Sequence, residues 1–301
     1  MGFEYIIGNE KVKELLNKTI SSNNILHSYL FLGIDGIGKS LFAKEFAKMV
    51  LCQENKKPCN KCKSCIEFEN NNNPDFMLIE NEEKVIKIEQ IRYMNQKISE
   101  KPITSDRKVY IINNSDTMTK EAQNCLLKTL EEPPEYATII LIASNENKLL
   151  NTIRSRCIKV NFNKISDEEI IEFIKQDNTK NINLNMLSFC EGSLGKALKI
   201  IEEKEYYLKV EELVNMISTN DLVYVLNNAE ILYKTKDMIY DLLEYINILL
   251  IKSKKLEKIN CIKYVEEAKK RLIANSNYDM TIDSLLIKMW EEINVEKYSR
   301  C

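Results

Sequence analysis

The stretch GIDGIGKS at 33–40 follows the apolar run SYLFL at 28–32. Its spacing is G-x-x-x-x-G-K-[ST]. Glycines at 33, 36 and 38 let the backbone curl until its amides face one centre, where Lys39 adds a cation and Ser40 a hydroxyl suited to Mg²⁺. A helix starting at Lys39 aims its positive end at the same point. A strand before the loop and a helix after it, at 39–51, supply the context the motif requires. The stretch therefore predicts a strand–loop–helix unit that cradles the phosphates of ATP or ADP with Mg²⁺, through Gly33, Gly36, Gly38, Lys39 and Ser40.

Outward from the loop, runs rich in Ile and Val at 75–80, 108–113, 138–143 and 157–162 read as further strands, and 89–100 and 120–132 as helices between them. Near-continuous apolar strands alternating with helices predict a parallel sheet covered on both faces. Beyond 162 the pattern changes. Ser166-Asp-Glu-Glu169 is a capping box, EGSLGKAL at 191–198 reads as a turn opening a helix, and MIYDLLEYINILLIK at 238–252 has helical spacing. The expected class is α/β followed by all-α, with domains at 1–163, 164–205 and 206–301.

Hydrolysis asks for an acid to hold Mg²⁺ and a group to activate water. The strand expected to supply both, KVYIINN at 108–114, ends in Asn113 and Asn114. Neutral amides give neither charge nor base. Asp116 follows at the expected start of the next helix. The reading is a site that binds nucleotide and cleaves it poorly.

Nine cysteines divide into a cluster, Cys52-x₆-Cys59-x₂-Cys62-x₂-Cys65, and five scattered residues, Cys125, Cys157, Cys190, Cys261 and Cys301. The cluster lies in a polar stretch, KKPCNKCKSC, with little surface for a core. Four thiolates at this spacing close a tetrahedral cage with no position left for catalysis. Structural zinc is the favoured ligand of the 52–65 module, an iron–sulfur cluster its rival, and disulfides the reading for an oxidising compartment. The scattered cysteines read as small apolar fillers.

With 43 basic and 45 acidic residues the formal net charge is −2, which disfavours a free-standing nucleic-acid binder. No apolar run reaches the length of a membrane span, and MGFEYIIGNEKVKELL is no signal peptide. The expected location is cytoplasmic. One histidine, His27, removes most histidine-based hydrolase chemistry.

LHSYLFLGIDGIGKS, the four cysteines, NPDFMLIE at 73–80, VIKIEQIR at 85–92, KVYIINNSDTMTKEAQNCLLKTLEEPPEYATIILIASN at 108–145 and TIRSRC at 152–157 together resemble the delta-prime family of bacterial DNA polymerase III clamp-loader subunits. The resemblance covers the first two domains and fades into the third. It implies an AAA+ architecture of P-loop domain, small helical lid and helical collar. It also implies a pentameric ring with delta and gamma or tau subunits, which opens the sliding clamp and places it on primer-template DNA. No independent activity is implied, only membership of a polymerase (nucleotidyltransferase) holoenzyme. By the same resemblance Arg156 of SRC is an arginine finger acting in a neighbour's ATP site, Ser144 and Asn145 fall at the sensor 1 position, and Lys196 lies near sensor 2. Gamma and tau subunits resemble the chain too but carry Asp-Glu at the third strand. An active gamma/tau-type ATPase is the alternative reading.

Overall fold

The computed structural model describes residues 2–81, 85–177 and 181–298, with side chains to Asn294; Cys301 lies outside the described residues. Five strands, β1 (Ser28–Leu32), β2 (Phe76–Ile79), β3 (Lys108–Ile112), β4 (Ala137–Ala143) and β5 (Ile158–Asn161), form one parallel sheet in the order β2-β3-β4-β1-β5. Seven helices accompany them: α1 (Glu10–Ser21), α2 (Lys39–Leu51), α3 (Lys63–Glu69), α4 (Ile88–Ile98), α5 (Lys120–Glu131), α6 (Asn151–Arg154) and α7 (Asp167–Lys175).

Alternation along each strand divides the core. Tyr29 and Phe31 of β1 and Ile140 and Ile142 of β4 pack with Phe42 and Phe46 of α2. Leu30, Ile139 and Leu141 point the other way, among Ile91, Met94 and Leu126 of α4 and α5. Both faces are thus dry, which is why the strands read as unbroken apolar runs. Each fully buried Phe or Leu contributes about 1.5–3 kcal/mol relative to exposure.

β1 and α2 fall where the sequence puts them, while β2, β3 and β5 are a residue or two shorter than their apolar runs. Hydrogen bonding continues past the strand ends: Asn113 N–H donates to the Ile79 carbonyl (2.9 Å) and Phe162 N–H to that of Leu32 (2.7 Å). Asp116 corrects a reading. It does not begin the next helix but lies in a one-turn 3-10 helix, Ser115–Thr117, and α5 starts later, capped by Thr119, which accepts from Ala122 N–H.

The cysteine insertion is fastened to the sheet by NPD at 73–75. Buried Asp75 accepts amides from Ile103 (2.8 Å), Thr104 (2.7 Å) and Ser105 (2.7 Å). Asn73 Nδ2 donates to the Ser64 carbonyl, and Ser64 Oγ meets Ser105 Oγ at 2.9 Å. Ser105 Oγ also donates to the Leu51 carbonyl at 2.9 Å. A charge-assisted nest and a hydroxyl chain thereby join α3, the end of α2 and the segment before β3.

The chain divides into two compact units, residues 1–173 with 192–195, and 174–191 with 196–301. The second is helical, containing α8 (Leu184–Cys190), most of α9 (Leu194–Glu202), α10 (Lys204–Thr219), α11 (Leu222–Asn227), α12 (Glu230–Lys234), α13 (Ile239–Lys252), α14 (Leu256–Asn260), α15 (Ile262–Ile273) and α16 (Tyr278–Tyr298). No strand occurs among its described residues. Tyr207 and Tyr245 meet edge to face at 5.1 Å, with Phe189 against Tyr245 at 5.3 Å. Glu211 closes this core by accepting from Tyr245 Oη, Asn183 Nδ2 and Asn185 Nδ2. The capping box is formed: Ser166 N–H donates to Glu169 Oε2 at 2.9 Å and Glu169 N–H to Ser166 Oγ at 3.3 Å. Cys157, Cys190 and Cys261 are buried and Cys125 half-buried, as expected of small fillers.

Candidate nucleotide and metal sites

The loop 33–38 leaves the end of β1, between β4 and β5 in the sheet, and leads into α2. Gly36 (φ 76°) and Gly38 (φ 95°) take left-handed conformations that favour glycine. At Gly33 space is the constraint: a Cβ there would lie 2.4 Å from Ile37 Cδ1 and 2.9 Å from the Phe162 carbonyl oxygen. The loop is closed from outside by Gly195, whose N–H donates to the Gly36 carbonyl at 2.8 Å.

Lys39 is 6% exposed. Its ammonium donates to the carbonyls of Gly33 (2.6 Å) and Ile34 (2.8 Å) and faces Asp35 at 3.6 Å. Burial pulls its pKa below the usual lysine value, against the charges of Asp35 and Asp116. A buried cation beside a helix N-terminus and left-handed glycines is a donor set that fits a polyphosphate. When bound, such a group with Mg²⁺ would be held by Gly33, Gly36, Gly38, Lys39 and Ser40.

The asparagines are tied sideways, toward β2. Asn113 Nδ2 donates to Glu80 Oε1 (3.1 Å) and Asn114 Nδ2 to Asn81 Oδ1 (3.3 Å). Asp116 turns instead toward β4. It is buried, and its Oδ2 accepts from Ser144 Oγ (3.1 Å) and Asn145 N–H (3.0 Å). Asn145 uses its own Oδ1 to accept from Asn147 N–H. Ser144, Asn145 and Asp116 are thus brought together, whereas Lys196 belongs to the second unit, with its Nζ 3.5 Å from the Phe189 ring centroid.

Arg156 sits at the corner between α6 and β5. Ser28 Oγ fixes its carbonyl (2.7 Å), Nη1 donates to the Thr152 carbonyl (2.9 Å) and Nη2 meets Glu131 Oε1 at 2.8 Å. Glu131 occupies the last turn of α5, ended by Pro133-Pro134, where the helix dipole disfavours an acid; Arg156 offsets that cost. Arg154 is held separately, by Asn151 Oδ1 and Glu146 (3.9 Å). Sequence reasoning missed Glu131, Gly195 and the Asp75 nest, although LEEPP and NPD were in view.

The Sγ atoms of Cys52, Cys59, Cys62 and Cys65 all lie within 4.8 Å of one another, Cys59 and Cys65 at 3.9 Å. Sulfurs at tetrahedral vertices about 2.3 Å from zinc stand roughly 3.8 Å apart, so the cluster fits such an ion. Cys59 Sγ accepts N–H bonds from Lys61 (3.4 Å) and Cys62 (3.2 Å), which bring its pKa down to about 6, and Cys52 Sγ accepts from Cys59 N–H. Amides aimed at sulfur stabilise thiolate, the form a metal takes.

Two curated relatives and one solved structure frame these sites. The chain is 27% identical over 315 residues to DNA polymerase III subunit delta' of Bacillus subtilis, covering 93% of this chain and 96% of that one. It is 32% identical over 243 residues to DNA polymerase III subunit gamma of Buchnera aphidicola from Schizaphis graminum, covering 78% of this chain and 66% of the relative's length. In three dimensions a DNA polymerase III gamma subunit-related protein from Thermotoga maritima superposes with a TM-score of 0.52 at 20% identity, over 94% of this chain and 99% of that one. That likeness bears on the fold alone, an α/β unit followed by helices. The profile described as "DNA polymerase III, delta subunit" matches residues 8–166, over half of the chain, and the chain belongs to that family.

Proposed function

We propose that the chain is the delta-prime, or stator, subunit of a bacterial clamp loader. It would assemble in a pentameric ring with delta and gamma or tau subunits, and through them act on the sliding clamp and primer-template DNA in the cytoplasm. In this reading 1–163 is the nucleotide domain, 164–205 the lid and 206–301 the collar through which the ring assembles. Among the described residues no helix is long and apolar enough to cross a membrane.

The observation that carries the reading is the pairing of an intact phosphate cradle with neutral Asn113 and Asn114 at the end of β3. Both amides are engaged with β2, and the buried acid two residues on, Asp116, is bound to Ser144 and Asn145. The site has what holding a nucleotide needs, and among the described residues the end of β3 offers no base poised for water. Near end-to-end matching to a delta' chain supports the same reading. The cysteine cage is read as one structural zinc.

The isolated chain should bind ATP and turn it over negligibly. Lys39→Ala removes a charged donor worth about 1.5–3 kcal/mol, so nucleotide affinity should fall about ten- to a hundredfold in a fluorescence titration. The ATPase of a reconstituted ring should hardly change. The gamma-type relative favours a second reading, an active ATPase. Turnover by the isolated chain that disappears with Lys39→Ala would establish that reading and end the stator one.

A further inference from the structure

We infer that Cys62 is a site of oxidative modification, where the thiolate reacts first with a peroxide and then pairs with Cys59, opening the metal cage. The inference rests on the zinc reading above. The four cysteines are unequal in access. Cys52 and Cys65 are buried, at 2% and 1% exposure, whereas Cys59 and Cys62 are half-buried. The latter two line a groove of about 630 Å³ together with Lys56, Pro58 and Lys61. A molecule as small as hydrogen peroxide thus has an approach to two of the sulfurs and none to the others.

The accessible pair is unequal in turn. Cys59 Sγ accepts the amides of Lys61 (3.4 Å) and Cys62 (3.2 Å). Cys62 gives its own N–H away in that bond, and among the described residues no N–H is directed at Cys62 Sγ. Hydrogen bonds that stabilise a thiolate also lower its nucleophilicity, so Cys62 is the sulfur that attacks. Position selects its partner. Cys65 lies within α3 and Cys52 directly follows α2, while Cys59 stands in the loop and Cys62 precedes α3. All four sulfurs lie within 4.8 Å of one another. The loop pair can close to a bond of about 2.05 Å without disturbing a helix interior.

A peroxide as oxidant balances the reaction. The Cys62 thiolate attacks one peroxide oxygen, the O–O bond breaks, and a sulfenic acid forms as hydroxide leaves and takes up a proton. Lys56 and Lys61, on the same groove, offer positive charge to that hydroxide. The Cys59 thiolate then attacks the Cys62 sulfur, forming S–S and breaking S–O, and a second hydroxide leaves to become water. Two thiolates, one hydrogen peroxide and two protons give one disulfide and two waters. Cys52 and Cys65 alone are too few to hold a tetrahedral ion.

The unaltered full chain, purified anaerobically with its metal, is treated with hydrogen peroxide beside a chromogenic zinc chelator, and its disulfides are mapped by mass spectrometry. About one equivalent of zinc per chain should be released, together with a Cys59–Cys62 bridge. A dithiol reductant with added zinc should restore the cage. A second readout also needs no variant: substoichiometric N-ethylmaleimide should label Cys62 on the order of tenfold faster than the other three ligands. Equal labelling of the four, first labelling at Cys59, a bridge through Cys52 or Cys65, or zinc retained through peroxide treatment would each overturn the inference and leave the zinc reading standing. A chain that carries no zinc at the outset would remove that reading, and the inference with it.

Discussion

Arg156→Ala in a reconstituted clamp loader should leave assembly intact and abolish most ATP turnover at the single site that adjoins this chain. An arginine finger supplied in trans is worth roughly a thousandfold or more in rate, because it neutralises charge that spreads over the γ-phosphate as the bond breaks. The Glu131–Arg156 pair is about a third to a half exposed on its two side chains, and such pairs contribute under about 1 kcal/mol to stability. Folding and catalysis are therefore separable at this position. Thr152 and Glu131 each bind one terminal nitrogen of the guanidinium, so the side chain is already drawn across the end of α5. Lysine cannot reproduce that fork. Arg154→Ala, which breaks contacts to Asn151 and Glu146 instead, is the control. The decisive measurement is single-turnover hydrolysis with each variant. Equal losses for both arginines, or none for Arg156→Ala, would remove the finger.

Removing the metal is expected to have the largest effect on stability. Anaerobically purified chain should carry about one zinc, and chelation or Cys59→Ser should cost on the order of several kcal/mol within the module, since metal affinity is folding free energy there. Cys59 is the position to change because two amides, from Lys61 and Cys62, converge on its sulfur. The damage should stay local. Asp75 and the Asn73–Ser64–Ser105 chain hold the base of the insertion independently of the thiolates, and the phosphate loop is a separate construction at the β1–α2 junction. Protease mapping should show cleavage confined to 53–63 with nucleotide affinity retained. Iron in the purified protein, or no metal, would end the zinc reading, and collapse of nucleotide binding would contradict the separation.

What could be read beforehand divides along a physical line. The loop, β1 and α2 were legible to the residue because left-handed glycines and a strand–helix junction leave few alternatives. The cysteine cage was legible because thiolate chemistry is written in its spacing. Helix α1 precedes the first apolar strand, and α3 and α6, of seven and four residues, are too short to display a helical period. The fate of Asp116 was out of reach for another reason: its partners, Ser144 and Asn145, lie 28 and 29 residues away, and only the adjacency of β3 and β4 brings them together. The Asp75 nest and the Glu131–Arg156 pair are likewise products of topology. Sequence periodicity reports which face is buried, not which polar group waits there.

The contact between Gly195 and Gly36 turns one backbone amide into a gauge. A Cβ at 195 would come within 3.0 Å of the Gly36 Cα, so the first turn of α9 and the loop approach as closely as backbones allow. The Gly195 N–H can exchange with deuterium only when they part. Its protection factor, measured with and without ATP, reads the free energy of loop opening at a single atom. If nucleotide tightens the cradle the amide should exchange more slowly by the factor that binding contributes, and an unchanged rate would mean that the loop receives its ligand without closing.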